Sequence, residues 1–275
     1  MNIEKSTLKI GLDKPLRILH VADNHLPLYD ENDSPAIIEK GKKRNQEAAL
    51  TALREEMAYG TEHCDLIVHS GDLIDFASSA NVAFARDVLK NEKVLFIAGN
   101  HEYWRCDGGI EDMNYRLASW GRLKELGVNL FFTSRVVGGV NFVGIDDAYH
   151  QVEAWQTERL QMEIEKGYPV VLFLHAPLFE QSLYDASIPF WHDGSAYLVG
   201  CDEAHLMPYP EFHAAQQRPS ADTKRFVEYV HQEKRIKAVL AGHVHFGFES
   251  ILPGGTVQYV TARGDRGNVR ELKII

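Results

Sequence analysis

The 275-residue chain has few cysteines and no long apolar run. Its three cysteines, Cys64, Cys106 and Cys201, are scattered without a Cys-x-x-Cys spacing, which argues against a disulfide framework or a cysteine-based zinc finger. No apolar stretch approaches the roughly 18 residues that a membrane-spanning helix needs, and residues 1–9 lack the pattern of a signal peptide. We therefore expect reduced thiols, no membrane partner and a cytoplasmic location.

Positive charge is also scarce. Lys and Arg together number 29 and Asp and Glu 39, which gives a formal net charge of −10. A chain with this excess of negative charge repels nucleic acid phosphates unless it concentrates basic residues in one patch. The apolar content of 45% is that of an ordinary globular protein, so disorder, collagen and coiled coil are excluded as descriptions of the whole chain.

Short apolar runs alternate with helical patterns along the chain. Runs with the composition of buried strands occupy residues 17–21, 65–69, 94–98, 140–145, 170–174 and 238–241. Helical periodicity occupies residues 43–59, 80–91, 112–126, 153–166 and 222–234. Near-continuous apolar strands are typical of sheets that are covered on both faces, and the alternation predicts an α/β fold. We see no repeat or linker, which favours a single domain over residues 1–275.

The C-terminal part has a different pattern. Gly254 and Gly255 separate two alternating runs, and residues 263–267 separate the second run from residues 269–275. Such spacing predicts two antiparallel hairpins. The tripeptide at 263–265 is interpreted as the turn of the second hairpin.

Polar residues of one chemical kind follow five of the predicted strands. They are Asp23 and His25, Asp72 and Asp75, Asn100 and His101, His175, and His243 and His245. In α/β sheets, ligands bind beyond the carboxyl ends of the strands, so we expect these groups to converge on one edge. Carboxylate oxygen, amide oxygen and imidazole nitrogen form the ligand mix of a transition-metal site, and they suffice for two ions.

The order Asp-x-His, Gly-Asp-x-x-Asp, Gly-Asn-His-Glu, His and Gly-His-x-His resembles the motif set of the calcineurin-like metallophosphoesterase superfamily. The motifs extend from residue 23 to residue 245, and their occurrence in this order is far more specific than any one of them. The resemblance implies a layered α/β sandwich in which two mixed β-sheets are flanked by helices. It also implies dinuclear metal-dependent hydrolysis of a phosphoester bond by metal-activated hydroxide.

The resemblance further implies a role for each residue. The matches to metal ligands are Asp23, His25 and His245 for the first metal, Asn100, His175 and His243 for the second, and Asp72 as a bridge between both. His101 matches the histidine that contacts the phosphate and protonates the leaving group, and Asp75 matches the carboxylate that orients it. The expected cofactors are two transition-metal ions, with Mn2+, Fe2+/Fe3+ and Zn2+ as candidates.

Departures from the family patterns narrow the substrate. Asp75 is followed by Phe76 and Ala77, whereas protein Ser/Thr phosphatases have Asp-Arg-Gly. Purple acid phosphatases have a tyrosine ligand where this chain has Asp75. We therefore expect a small-molecule phosphodiester or phosphomonoester substrate and no nucleic acid partner. The alternative is a low-turnover metal-binding scaffold of the same fold that binds a protein partner; retention of His101 favours the enzyme.

An insert at about residues 179–221 lacks clear periodicity. It has seven aromatic residues, four prolines, six acidic residues and one arginine, a poor match to a polyanion. Two interpretations remain open: a wall over the metals, in which Phe190, Trp191 and Tyr197 cover the substrate, or a satellite hydrophobic cluster.

Further polar residues lie near the motifs. His20 and His69 are interpreted as strand side chains. Asp146, Asp147 and His150 follow another strand and are within reach of the edge of the site, but a plain turn is the favoured interpretation.

Overall fold

The computed structural model describes residues 1–109 and 111–275. Its strands are β1 (Asn2–Leu8), β2 (Leu16–Val21), β3 (Leu66–His69), β4 (Val94–Phe96), β5 (Phe132–Val137), β6 (Val140–Ile145), β7 (Val170–Phe173), β8 (Ile236–Ala241), β9 (Phe248–Ile251), β10 (Val257–Val260) and β11 (Asn268–Ile274). Its α-helices are α1 (Pro35–Lys42), α2 (Gln46–His63), α3 (Ser79–Leu89), α4 (Asn100–Tyr103), α5 (Met113–Leu123), α6 (Ala154–Glu165), α7 (Gln181–Trp191), α8 (Glu203–Leu206), α9 (Glu211–Gln217) and α10 (Ala221–Gln232).

The strands form two sheets. The first has the order β1-β11-β2-β3-β4, and the second has the order β5-β6-β7-β8-β10-β9. In the first sheet β11 pairs antiparallel with β2, and the other pairs are parallel. In the second sheet the outer pairs β5-β6 and β10-β9 are antiparallel, and the inner pairs are parallel. The predicted α/β fold with two mixed sheets flanked by helices is therefore confirmed.

The core is arranged in layers. Ile18 and Val68 of the first sheet pack against Phe142 and Phe173 of the second, and all four side chains are fully buried. Leu19, on the opposite face of β2, packs under the helices, so both faces are covered. Burial of each such side chain is worth roughly 1.5–3 kcal/mol. This explains why the strands are apolar at nearly every position.

Helices cover the outer faces of both sheets. Leu53 of α2 and Val82 of α3 pack with the first sheet, and Leu160 of α6 and Phe226 of α10 pack with the second. Asn45 caps the N-terminus of α2, because its side chain accepts a hydrogen bond from the backbone N–H of Ala48 at 3.1 Å. No helix of the described residues is long and apolar enough to cross a membrane.

The C-terminal strands partly contradict the predicted hairpins. β9 and β10 form an antiparallel hairpin, as predicted. The second predicted hairpin is wrong, because β10 lies in the second sheet and β11 lies between β1 and β2 in the first. The connection contains a 3-10 turn at Gly264–Arg266, which is bonded to the loop after β2 through Gly264 N–H and the Ala22 carbonyl at 2.8 Å. This contact directs the chain to the other sheet.

The insert is helical, not structureless. It contains α7, α8 and α9, which are short, and Pro189 lies within α7. Proline and short length weaken the periodic signal that predicts a helix. Leu183 and Leu198 of the insert pack with Val244 and Val260 beside the last motif.

Candidate metal centre

The carboxyl ends of strands from both sheets bring the nine predicted site residues together. Asp23 and His25 follow β2, Asp72 and Asp75 follow β3, Asn100 and His101 begin α4 after β4, His175 follows β7, and His243 and His245 follow β8. β2, β3 and β4 belong to one sheet, and β7 and β8 belong to the other. The site is therefore formed by the carboxyl ends of strands from both sheets. Each of the nine residues contacts at least one other member of the set.

The first cluster consists of Asp23, His25 and His245. The Nε2 atoms of the two histidines are 3.0 Å apart. The Oδ1 atom of Asp23 lies 3.8 Å from His25 Nε2 and 3.6 Å from His245 Nε2. Their ligand atoms lie within 4.8 Å of one another, so one cation can contact all three.

The second cluster centres on His175. Its Nε2 atom lies 3.0 Å from His243 Nδ1, 3.2 Å from Asn100 Oδ1 and 3.3 Å from Asp72 Oδ2. Its Nδ1 atom lies 2.9 Å from the Ser70 carbonyl, which can only accept a hydrogen bond. Nδ1 therefore carries a proton, and Nε2 is the atom available to a cation.

Asp72 lies between the two clusters. Its Oδ2 atom is 3.3 Å from His175 Nε2 and 3.8 Å from His25 Nε2. Its Oδ1 atom accepts the backbone N–H of His101 at 2.8 Å. One carboxylate oxygen therefore faces both clusters, while the other is held by the neighbouring motif.

The backbone at these residues is unusual. Positive φ angles occur at Asp23 (56°), His25 (44°), Asp72 (54°), His243 (66°) and His245 (67°). Residues other than glycine rarely adopt this left-handed conformation, and each instance costs roughly 1–3 kcal/mol unless the surroundings stabilise it. Five of the ten described non-glycine residues with positive φ are therefore members of the candidate site, and such clustering is typical of functional sites.

Gly71 allows the two motifs to approach closely. Its φ is 97°, and a Cβ atom there would lie 2.6 Å from the Gly99 nitrogen and 2.6 Å from His175 Nδ1. Any side chain at position 71 would therefore push this loop away from Gly99 and His175.

The carboxylates around His175 favour a positive charge in the second cluster. Burial lowers the pKa of His175, but the charges of Asp72 and Asp23 outweigh burial and raise it to about 10. Without a metal, a proton on Nε2 thus supplies a positive charge at the point where Asn100, Asp72 and His243 converge. A cation would supply the same charge, and the nitrogen and oxygen donors are those that transition metals prefer. The residues present therefore fit two such ions.

His101 lies beside the clusters and is held by Asp75. Its Nδ1 atom is 2.9 Å from the Asp75 carbonyl and 3.1 Å from Asp75 Oδ1, which leaves Nε2 facing outward. Burial lowers the pKa of His101, but Asp72 and the hydrogen bond to Asp75 raise it to about 9. Bound cations would cancel the contribution of Asp72, whereas the contact with Asp75 would remain. Arg44 donates to Asp75 at 3.0 Å and fixes the carboxylate.

Glu102 was not singled out by the sequence argument, although it ends the third motif. Its carboxylate accepts three backbone N–H groups, from Gly99 at 2.6 Å, Asp72 at 2.8 Å and Ile74 at 3.1 Å. It thereby ties the loop of Asp72 to the loop of Asn100. Burial and the charge of Asp72 raise its pKa to about 8, against the effect of its N–H donors.

The segment after β6 is a turn that also contacts the site, so the alternative of reach to the site edge describes it better than the favoured plain turn. The Asp147 carboxylate accepts the backbone N–H groups of His175 at 2.8 Å and Ala176 at 3.1 Å. The ring of His150 lies 5.1 Å from that of His243. The direction of these side chains follows from the 3-10 turn Ala148–His150, for which the sequence offers no pattern.

The two histidines that precede the first and second motifs, His20 and His69, are strand residues, as predicted. His20 lies in β2 with its Nε2 atom 2.9 Å from Ser70 Oγ. His69 lies in β3 with its Nε2 atom 2.8 Å from Asn24 Oδ1.

Aromatic rings stand around the clusters. The ring of Trp191 lies 5.0 Å from that of His245, and the ring of Tyr197 lies 5.8 Å from that of His243. Trp104 lies 5.2 Å from His101 on another side. Phe190 points away, packs on Phe246 and is 45% exposed. Two rings of the insert therefore stand beside the clusters, while other residues of the insert, such as Leu183 and Leu198, form a separate hydrophobic cluster.

Solved structures with a similar fold share little sequence. A dimetal phosphatase from Danio rerio matches with a TM-score of 0.50 and 15% identity over 91% of this chain and 88% of that chain. A phosphopantetheinyl hydrolase from Mycobacterium tuberculosis matches with a TM-score of 0.46 and 14% identity over 92% and 94% of the two chains. No curated protein matches the sequence.

The family comparison covers most of the chain. The model of the calcineurin-like phosphoesterase family matches residues 16–247, which include all nine site residues. Together with the two mixed sheets and the clustered Asp and His side chains, this match shows that the chain belongs to the calcineurin-like phosphoesterase family.

Proposed function

We propose that this protein is a dinuclear metal-dependent phosphoesterase that hydrolyses a small-molecule phosphodiester or phosphomonoester. The observation that carries the proposal is the position of Asp72, whose Oδ2 atom faces both clusters of metal-ligating side chains. A carboxylate shared by two cations reduces their mutual repulsion, and this arrangement serves in-line displacement at phosphorus.

The ligands would be divided between two ions. Asp23, His25 and His245 would hold the first, Asn100, His175 and His243 would hold the second, and Asp72 would contribute to both. The mixed donor set suits Mn2+, iron or Zn2+ better than Ca2+. When bound, such ions supply Lewis-acid activation of water and of the phosphoryl group.

A side chain of the protein would supply the proton that the leaving oxygen needs. His101 holds a proton on Nδ1 through its contacts with Asp75, and its outward Nε2 atom can donate a second proton to a leaving oxygen. Arg44 and His25 contact the same carboxylate and limit its movement. The ring of His101 is 22% exposed, so a substrate can reach it.

The same features favour an enzyme over a scaffold that only binds metal. A scaffold needs the ligands but has no use for the pair of His101 and Asp75. We further infer that residues 1–275 form one domain, because both sheets supply site residues and the insert packs on Val244 and Val260.

Purified protein loaded with Mn2+, Fe2+ or Zn2+ should hydrolyse at least one member of a panel of nitrophenyl phosphate monoesters and diesters. Chelation should abolish turnover, and addition of the metal should restore it. Metal-loaded protein that binds two ions but hydrolyses no member of the panel would favour the scaffold.

A further inference from the structure

A cavity of about 240 Å³ adjoins the metal centre at His25. Four of the side chains that line it are cationic: Lys43, Arg44, Arg263 and Arg266. Among the described residues, the lining contains one acidic side chain, that of Asp265. Since the chain as a whole has a net charge of −10, this concentration of cations is a local exception. Such a concentration of cations favours a bound anion.

One wall of the cavity is joined to the proposed proton donor. Arg44 donates to both carboxylate oxygens of Asp75, at 3.0 Å and 3.3 Å. Asp75 Oδ1 in turn lies 3.5 Å from His25 Nδ1 and 3.1 Å from His101 Nδ1. The guanidinium of Arg44 is therefore separated from the first cluster by a single carboxylate.

Another part of the lining, the turn Gly264–Arg266, is hydrogen-bonded to the loop of the first motif. The Gly264 N–H donates to the Ala22 carbonyl at 2.8 Å, and the Asp265 N–H donates to the Asp23 carbonyl at 3.2 Å. A Cβ atom at Gly264 would lie 2.5 Å from Asn24 Nδ2, so the turn sits directly against the loop of the metal ligands. The backbone of the turn that carries Arg263 and Arg266 is consequently fixed relative to the centre.

The cations of the cavity are only partly neutralised. Asp265 pairs with Arg263, and Arg266 lies 4.0 Å from the same carboxylate. Lys43 pairs with Glu39, but both side chains are about 70% exposed, and such a pair contributes little. Arg266 is equally exposed. Both side chains can therefore turn toward an incoming anion.

We propose that this cavity binds a second phosphate group of the substrate. The inference rests on the proposed function, and it specifies the substrate class as phosphoesters that carry another phosphate close to the scissile one. Arginine forks match phosphate geometry, and the cavity is smaller than ligand pockets of roughly 300–1,000 Å³, which suits one charged group better than a whole ligand. Lys43 and Arg266 are the residues that engage it.

The test compares two substrates that differ by one phosphate. The ratio of kcat/KM for 1,3-propanediol bisphosphate to that for propyl phosphate is measured with Lys43→Ser/Arg266→Ser. The matched control is Arg54→Ser/Lys90→Ser, which removes two exposed cations away from the cavity. We expect the ratio to fall about tenfold in the cavity variant and to stay constant in the control, since each exposed charged contact is worth a few-fold. An unchanged ratio in the cavity variant would overturn the inference and leave the proposed function intact.

A binding measurement on the metal-free protein is independent of turnover. Calorimetric titration with inorganic pyrophosphate should give a Kd about tenfold weaker for the cavity variant than for the control variant. If no member of the nitrophenyl ester panel is hydrolysed but this difference appears, the proposed function fails while the anion site stands. Equal affinity of the two variants would overturn the site itself.

Discussion

Replacing Asp72 with Asn should lower kcat/KM by at least about 10³-fold, because the change removes negative charge from the point that both proposed ions share. Asp72 Oδ2 lies within 3.8 Å of a nitrogen from each cluster, and an amide is a weaker ligand that bridges poorly. The amide oxygen can still accept the His101 N–H, so the local fold should persist. Kinetics and metal analysis of the purified variant provide the measurement.

The matched control is Asp23→Asn, which alters a carboxylate of only one cluster. We expect it to lower kcat/KM less than Asp72→Asn and to leave the second ion in place. Equal losses in the two variants would contradict the bridging role. So would near-wild-type turnover of Asp72→Asn at saturating metal.

His101→Ala should lower the rate by about 10²–10⁴-fold for alkyl phosphoesters, whose leaving alkoxides need a proton. Nitrophenyl esters leave without protonation, so they should lose only the contact with the phosphate. Both metals should remain, since the side chain of His101 is outside the two clusters of proposed ligands. Parallel kinetics on one alkyl ester and one nitrophenyl ester measure the difference between the two losses of rate, and metal analysis shows whether both ions remain.

A histidine variant far from the site serves as the control. His63→Ala removes a half-exposed histidine at the end of α2 and should leave both rates unchanged. If His101→Ala slowed both substrates equally, His101 would be a phosphate-binding residue and not a proton donor. Loss of a metal in this variant would mean that His101 is itself a ligand.

The central strands and the convergence of the nine candidate residues could be predicted because both have local signals. β3, for instance, is apolar at nearly every position, and its motif follows directly. β1 was missed because it is an edge strand whose mostly exposed sequence, Asn2–Leu8, shows no apolar run. β11 was placed in the wrong sheet because the choice depends on a contact between Gly264 and Ala22, which are 242 residues apart in sequence.

The surroundings of the site could not be predicted for the same reason. Arg44 contacts Asp75 from outside every motif, and the third motif includes Glu102 but does not indicate that its carboxylate accepts the N–H of Asp72. Asp and His adopt the left-handed backbone more readily than most residues, but the sequence does not indicate which of them do so, and the tertiary surroundings decide it at Asp72. The motifs therefore predict which side chains converge, and the fold determines the contacts that hold them.

Titration of the metal-free protein with one metal, while hydrolysis is followed, tests the central claim most directly. We expect activity to rise until two equivalents per chain have been added and then to level off. Full activity at one equivalent, with no further ion bound, would contradict a dinuclear centre bridged by Asp72.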